Sequence, residues 1–223
     1  MCGRFSLTKE EAEIEKRFNA RFYSNDLVKR YNVAPSQLSI VITDASPKEL
    51  KLFKWGLIPS WAKDPSIGNR MINARSETIR EKPSFRNLIK RKRCLVVTDG
   101  FYEWKKIDSK TKVPYRICLN DESLFTFGGL WDQWTDRSTG EIISSFTVIT
   151  TNANKMVNEI HDRMPVILSK EDESIWLNKD SDKLDIDELL QPYPEDELKT
   201  YPISKKVNSP TNDSKEILEE IEI

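Results

Sequence analysis

Apolar and polar positions alternate with a period of two over much of this chain, while the helical period recurs only in short stretches. Leu38, Ile40 and Ile42 alternate within 38–43, which predicts a strand after an extended entry at 31–34 and a turn at Pro35. A second strand is expected over 48–61, running into Pro59. The segments 94–106, 114–119, 123–134 and 143–151 are rich in β-branched and aromatic residues and bounded by Gly, Asp, Asn or Ser, so each is expected to be extended. Residues 9–23 place Ile14, Phe18 and Phe22 four apart on one helical face, with Thr8 and Glu11 at capping-box spacing. Further helices are expected at 76–92, 153–159, 170–178, 184–190 and 213–221. Short strands interrupted, rather than regularly alternated, by helices predict an α+β fold: a mainly antiparallel, barrel-like sheet with peripheral helices.

The 223 residues suit one domain over 1–223, with the 213–221 helix packed on it. An apolar fraction of 38% against 32% charged residues describes a sizeable core under a heavily charged surface. The formal net charge is −1, so any nucleic-acid binding has to come from a local basic patch. One basic run stands out, with Arg80, Lys82, Arg86, Lys90, Arg91, Lys92 and Arg93 opposed only by Glu81. It reads either as a solvated helix face or as a phosphate-tracking surface. The opening MCGRFSLTKEE lacks the apolar core of a signal peptide, and no run approaches the ~18 apolar residues of a membrane span, so a cytoplasmic location is expected. The cysteines Cys2, Cys94 and Cys118 make an odd count without framework spacing and are expected to be reduced.

Position 2 carries the most distinctive chemistry. Initiator methionines are commonly trimmed before a small residue, and Cys2 would then be exposed as the mature amino terminus bearing a 1,2-aminothiol. Such a group condenses with an aldehyde: the amine forms an imine and the sulfur closes on the imine carbon to give a thiazolidine. An α-amine of pKa ~7.7–8.0 is unprotonated in roughly a tenth of molecules at pH 7, far more than a lysine of pKa ~10.4. An inert buried cysteine is the alternative reading of Cys2, and Cys94 and Cys118, both in apolar strands, are expected in the core. A zinc site built from the cysteines and His161 lacks paired ligand spacing, and neither metal nor cofactor is expected. His161, the single histidine, lies in a polar break beside Asp162 and Arg163 and reads as a general acid–base or as a surface residue. Glu103 shares a strand face with Phe101, opposite Tyr102 and Trp104, where burial or a partner would set its pKa. Asn73 and Arg75 immediately precede an expected helix, Asn73 as a turn former and Arg75 as a phosphate grip.

In order along the chain, MCGRF (1–5), RYNVAPSQ (30–37), WGLIPSWAKD (55–64), INARSET (72–78), RCLVVTDGFYEW (93–104), FTFGGLWD (125–132), FTVITTNAN (146–154), IHDRMPVIL (160–168) and PISKKVNSPTND (202–213) resemble the SOS-response-associated peptidase family of abasic-site processing proteins. The stretches 80–93 and 169–200 carry less of the pattern. The resemblance implies that Cys2, freed of Met1, crosslinks to the ring-opened deoxyribose of an abasic site in single-stranded DNA and shields the lesion. It implies further that Asn73 positions the opened sugar and the aminothiol, that Glu103 stabilises the abasic site and manages the proton of the attacking amine, and that His161 assists ring opening, imine chemistry and, in reverse, release. Arg4, Asn32 and Arg75 are implied in DNA binding, Trp61 in stacking or strand separation, with lyase-type and peptidase-like activities alongside. Nucleoid association on damaged DNA would follow. Three other readings remain at this point. One is an amidohydrolase using its amino-terminal cysteine, which would continue differently at Arg4. Another is a conventional Cys–His hydrolase. The third is a non-catalytic single-strand binder.

Overall fold

The computed structural model describes residues 2–23, 29–181 and 183–222. Its strands are β1 (Phe5–Leu7), β2 (Arg21–Phe22), β3 (Arg30–Val33), β4 (Leu38–Thr43), β5 (Ser46–Trp55), β6 (Asn73–Arg75), β7 (Arg93–Thr98), β8 (Gly100–Lys106), β9 (Lys112–Leu119), β10 (Phe125–Thr135), β11 (Ile142–Asn152), β12 (Arg163–Pro165), β13 (Ile167–Leu168) and β14 (Leu198–Pro202). The helices are short: α1 (Glu11–Phe18), α2 (Leu88–Arg91), α3 (Lys155–Asn158), α4 (Lys170–Leu177) and α5 (Lys183–Glu188). One sheet runs β14-β9-β8-β1-β3. In the other, β11-β10-β7-β4-β5 pair in that order. This second sheet then closes on itself where β5 meets β11 in parallel, Lys54 opposite Ser145 and Trp55 opposite Phe146. The expected α+β architecture with a barrel-like, mainly antiparallel sheet is therefore the one observed.

Closure explains why β4 is buried from Ser39 to Thr43 instead of alternating with solvent. One face of the barrel strands, carrying Val41, Phe53, Trp55, Val96, Phe127 and Phe146, shares a cluster with Phe5, Phe101 and Ile117 of the five-stranded sheet. The opposite face, with Ile40, Ile42, Leu95 and Val97, is covered by Ile14 of α1 and Trp176 of α4. Strands with both faces covered read as near-continuous apolar runs. Trp55 anchors the first cluster: its ring stacks on Phe146 at 6.4 Å, meets Phe5 at 4.9 Å, and its Nε1–H donates to the Ile72 carbonyl at 2.9 Å.

Several expected elements take other forms. The first helix stops at Phe18, where Asn19 adopts a left-handed conformation (φ 46°), and the chain continues into β2. Thr8 does not cap it, since its N–H and hydroxyl both donate to Asp99 at 2.6 Å. That interaction also divides the expected 94–106 strand into β7 and β8, because Asp99 turns out of the ladder to bind Ser6 and Thr8. The expected 76–92 helix is interrupted by Pro83, which lacks the donor and disfavours helix at Lys82. A 3₁₀ turn at Ser76–Thr78 and the single turn α2 remain. The expected 213–221 helix is a 3₁₀ turn, Lys215–Leu218, whose Ile217 buries beside Tyr102, Ile203 and Val207. Beyond it the chain returns to extended pairing, with Ile221 N–H donating to the Pro202 carbonyl. Nine residues are too few to hold a helix without support. No helix among the described residues is long and apolar enough to cross a membrane.

Barrel closure requires glycine at position 56. Its φ is +126°, its N–H donates to the Phe146 carbonyl at 2.8 Å, and an added Cβ would lie 2.7 Å from the Gly68 carbonyl oxygen. Gly56→Ala should therefore lower the unfolding free energy by about 1–3 kcal/mol through backbone strain alone. Urea titration with an unchanged midpoint would show that the closure tolerates a side chain.

Candidate functional site

The start of the chain is pinned between two strands. β1 lies between β3 and β8, with Phe5 opposite Phe101 and Ser6 opposite Gly100. Tyr102 N–H continues the ladder by donating to the Arg4 carbonyl at 3.0 Å. Carried back at the same register, this antiparallel pairing sets Gly3 against Glu103. Asn73, on β6, donates from Nδ2 to the Cys2 carbonyl at 2.8 Å. β6 itself is fixed by parallel pairing to β11, Asn73 opposite Val148.

The expectation for Cys2 as an exposed amino terminus concerns the chain freed of Met1. With Met1 preceding it, Cys2 is fully buried in the aromatic cluster. Burial pushes its thiol well above the usual range, and the Glu103 carboxylate adds to that shift. The physical reason is the β-pairing on both sides, which draws the terminus inward. Cys94 and Cys118 are buried as expected.

Glu103 has 2% of its surface exposed, on β8. Alternation places Phe101 in the cluster that holds Cys2 and Tyr102 in the separate cluster with Ile203, Val207 and Ile217, as the sequence predicted. Burial raises the Glu103 carboxyl to about 7, opposed by the positive charge at the start of the chain. Burial lowers His161, and that same positive charge lowers it further while Asp162 opposes. The positive charge at the start of the chain thus acts on both Glu103 and His161. The Arg163 N–H donates to His161 Nδ1 at 3.0 Å, which leaves the proton of the neutral ring on Nε2. Asp162 Oδ1 lies 2.9 Å from the same nitrogen and becomes its partner only when the ring is protonated. Asn73 Oδ1 is buried without a hydrogen-bond partner. An acceptor held that way is costly unless something arrives to bind it.

The residues expected to bind DNA separate into two groups. Trp61 is 57% exposed on a turn held rigid by Ser60 N–H to Asp132 (2.7 Å) and Trp134 Nε1–H to the Ala62 carbonyl (2.7 Å). Arg75 is exposed on β6, on the same strand face as Asn73. Arg4, half-buried, donates to Asn32 Oδ1 (2.8 Å) and to the Val207 carbonyl (2.7 Å). Direct DNA contact by Asn32 is corrected: it is fully buried, and its amide donates to the carbonyls of Val207, Ser209 and Asn212. Asn32 fastens the 207–212 loop and cannot reach a ligand. In the basic run, Arg80 is tied to Asp187, Lys92 to Asp132, and buried Arg93 to the carbonyls of Ile89, Trp176 and Asn178. Only Lys82, Arg86, Lys90 and Arg91 remain exposed.

Sequence reasoning missed the partners that hold His161. Arg163 is gripped by both oxygens of Glu77 and also donates to Asn152 Oδ1 (2.9 Å) and the Thr150 carbonyl (2.6 Å). This fixes the backbone N–H that orients the imidazole. INARSET and IHDRMP hold both partners, but nothing in either segment announces a pair 86 residues apart. Among the described residues no group of three or more His, Cys, Asp or Glu side chains is placed to hold a metal ion.

A family model described as SOS response associated peptidase (SRAP) matches residues 1–210. The chain is 48% identical over 223 residues to the abasic site processing protein YoqW of Bacillus subtilis (strain 168), covering 98% of this chain and 99% of that protein. It is 32% identical over 263 residues to the abasic site processing protein HMCES of Xenopus tropicalis, covering 98% of this chain and 78% of that one. A crystal structure of a protein from Bacteroides thetaiotaomicron is similar with a TM-score of 0.91 at 33% identity, covering 99% of this chain and 100% of that chain.

The raised Glu103 carboxyl has a consequence for stability. Its ordinary value is 4.5 and its folded value about 7, so on raising the pH the unfolded chain loses this proton first. Stability contributed by the bound proton is full below 4.5 and is lost as the pH rises through about 7, an effect of up to ~3 kcal/mol. Glu103→Gln should remove this component, so that denaturation midpoints at pH 5 and pH 8 lie closer together than in the wild type. An equal pH dependence in both proteins would mean that Glu103 is not desolvated.

Proposed function

This chain belongs to the SOS response associated peptidase family, and from that premise we propose that it processes abasic sites in single-stranded DNA, capturing the opened deoxyribose through Cys2. The observation that carries the reading is the hydrogen bond of Asn73 to the Cys2 carbonyl at 2.8 Å, together with the action of the terminal positive charge on both Glu103 and His161. The abasic site processing names of the relatives give it a substrate.

Removal of Met1 turns the Cys2 amide nitrogen into a primary amine. That amine adds to the C1′ aldehyde, and loss of one water gives an imine. The thiol then adds across the C=N bond: sulfur bonds to carbon, its proton passes to nitrogen, and the thiazolidine closes. The sum is one water lost, with no oxidant or reductant. Glu103, with its carboxyl at about 7, accepts a proton from the incoming ammonium and returns it to the departing hydroxyl. Neutral His161, its proton on Nε2, serves ring opening and the reverse step. The unpartnered Asn73 Oδ1 is available to a sugar hydroxyl or to the new amine. Arg75 meets a phosphate, and Trp61 offers a stacking face. Lyase-type strand cleavage would branch from the imine, and peptidase-like self-processing would act on the bond before Cys2. Such a protein would work in the cytoplasm, at the nucleoid once bound to damaged DNA.

Incubation with a single-stranded oligonucleotide carrying one abasic site should give a band stable to denaturant. Cys2→Ala, or a protein with its amino terminus chemically blocked, should give none; a band persisting in both would overturn the proposal. His161→Ala should slow both formation and reversal, by about 10²–10⁴-fold for a lost acid–base group. Asn73→Ala should slow mainly formation. Wild-type rates in both variants would remove those two roles.

A further inference from the structure

The hairpin joining β8 to β9 reads Lys105-Lys106-Ile107-Asp108-Ser109-Lys110-Thr111-Lys112. Its one acid, Asp108, is exposed, and its carboxylate accepts from the backbone N–H groups of Lys110 (2.7 Å) and Thr111 (2.8 Å). Lys106, Lys110 and Lys112 are exposed, and across a cleft from them stands Lys205 on the 3₁₀ turn Lys205–Asn208. The cleft has a volume of about 380 Å³, and its walls include Trp104, Asn208 and Asp108 as well as these lysines. Among the described residues none of the four lysines forms an ion pair with a carboxylate. In a chain of net charge −1 this is a local positive concavity, four lysines against the single carboxylate of Asp108.

The cleft lies on the opposite face of β8 from Glu103 and is tied to the chain's first residues through Arg4. Trp104 Nε1–H donates to Asn208 Oδ1 at 2.8 Å. The Arg4 guanidinium stands 6.0 Å from the Trp104 ring and reaches the Asn208 carbonyl. Lys112 is close enough to act on the charge of His161. The opposite wall is the loop that Asn32 fastens from beneath, so the concavity is held open by buried hydrogen bonds and not by mobile side chains.

We propose that this cleft is a phosphate-backbone subsite, in which Lys106, Lys110, Lys112 and Lys205 hold the nucleotides of a single DNA strand adjoining the one bound at Cys2. The proposal rests on the abasic-site reading for what occupies Cys2, and adds where the strand goes from there. Each phosphate neutralised releases condensed counterions, so the contacts would appear as a salt dependence of about 0.7 per phosphate for single strands. Trp104 adds an aromatic wall against which a base can lie.

The test is binding of an intact single-stranded oligonucleotide, which cannot crosslink, at a series of salt concentrations. The triple variant Lys106→Gln/Lys110→Gln/Lys205→Gln alters only exposed side chains and omits Lys112 because it acts on His161. Its slope of log affinity against log salt should be shallower than the wild type by about 2. A second variant, Lys82→Gln/Arg86→Gln/Lys90→Gln/Arg91→Gln, removes an equally exposed basic surface and should keep the wild-type slope. An unchanged slope in the first variant, or the loss appearing in the second, would overturn the subsite. The covalent band on a short abasic strand is scored separately: wild type and the lysine variant should both form it. Its absence from wild type would remove the Cys2 reading, a failure distinct from that of the cleft.

Discussion

The geometry of this protein depends on where its first residues are held. β1 enters the five-stranded sheet between β3 and β8, and the hydrogen bond from Tyr102 N–H to the Arg4 carbonyl carries the pairing to the edge of the site. Asn73 then fixes the Cys2 carbonyl from the other sheet. A chain terminus ordinarily frays. Here it is clamped from two sheets at once, and chemistry that needs a terminal amine acquires a fixed position.

The clamp in turn depends on β11. This strand closes the barrel against β5, carries β6 with Asn73 alongside Val148, and pairs through Asn152 with Arg163 of β12. One strand therefore sets the distance between the amide that holds Cys2 and the backbone N–H that orients His161. Burial adds the electrostatics. Desolvation lifts the Glu103 carboxyl to about 7 and lowers His161, and the positive charge at the start of the chain lowers both. That burial also keeps the Cys2 thiol protonated while Met1 precedes it.

Much of the sheet was legible because β-branched and aromatic content marks Leu38–Thr43, Lys112–Leu119 and Ile142–Asn152 even where burial on both faces removes the alternation. Helical spacing was less informative. Residues 76–92 and 213–221 have the spacing of helices, yet Pro83 breaks one and docking of Ile217 beside Tyr102 turns the other into a 3₁₀ turn. The break at Asp99 was hidden because its cause, Ser6 and Thr8, lies more than ninety residues away. At the site, Glu103 was readable from strand alternation, while Asn73 read only as a turn former and took its site role, like Asn32, from family resemblance. Resemblance does not distinguish a residue that touches a ligand from one that holds a loop, and Asn32 belongs to the second kind. The Glu77–Arg163 brace and the lysine cleft were missed for a related reason: both join segments far apart in sequence, and only the folded chain brings them together.

Intact mass spectrometry, before and after exposure to a strand bearing one abasic site, addresses the central claim most directly. The expected free protein lacks its initiator methionine, and the expected product has the summed mass of protein and strand less one water, mapping after digestion to the peptide that begins at Cys2. A crosslinking species that retains Met1, or an adduct that maps to a lysine, would contradict it.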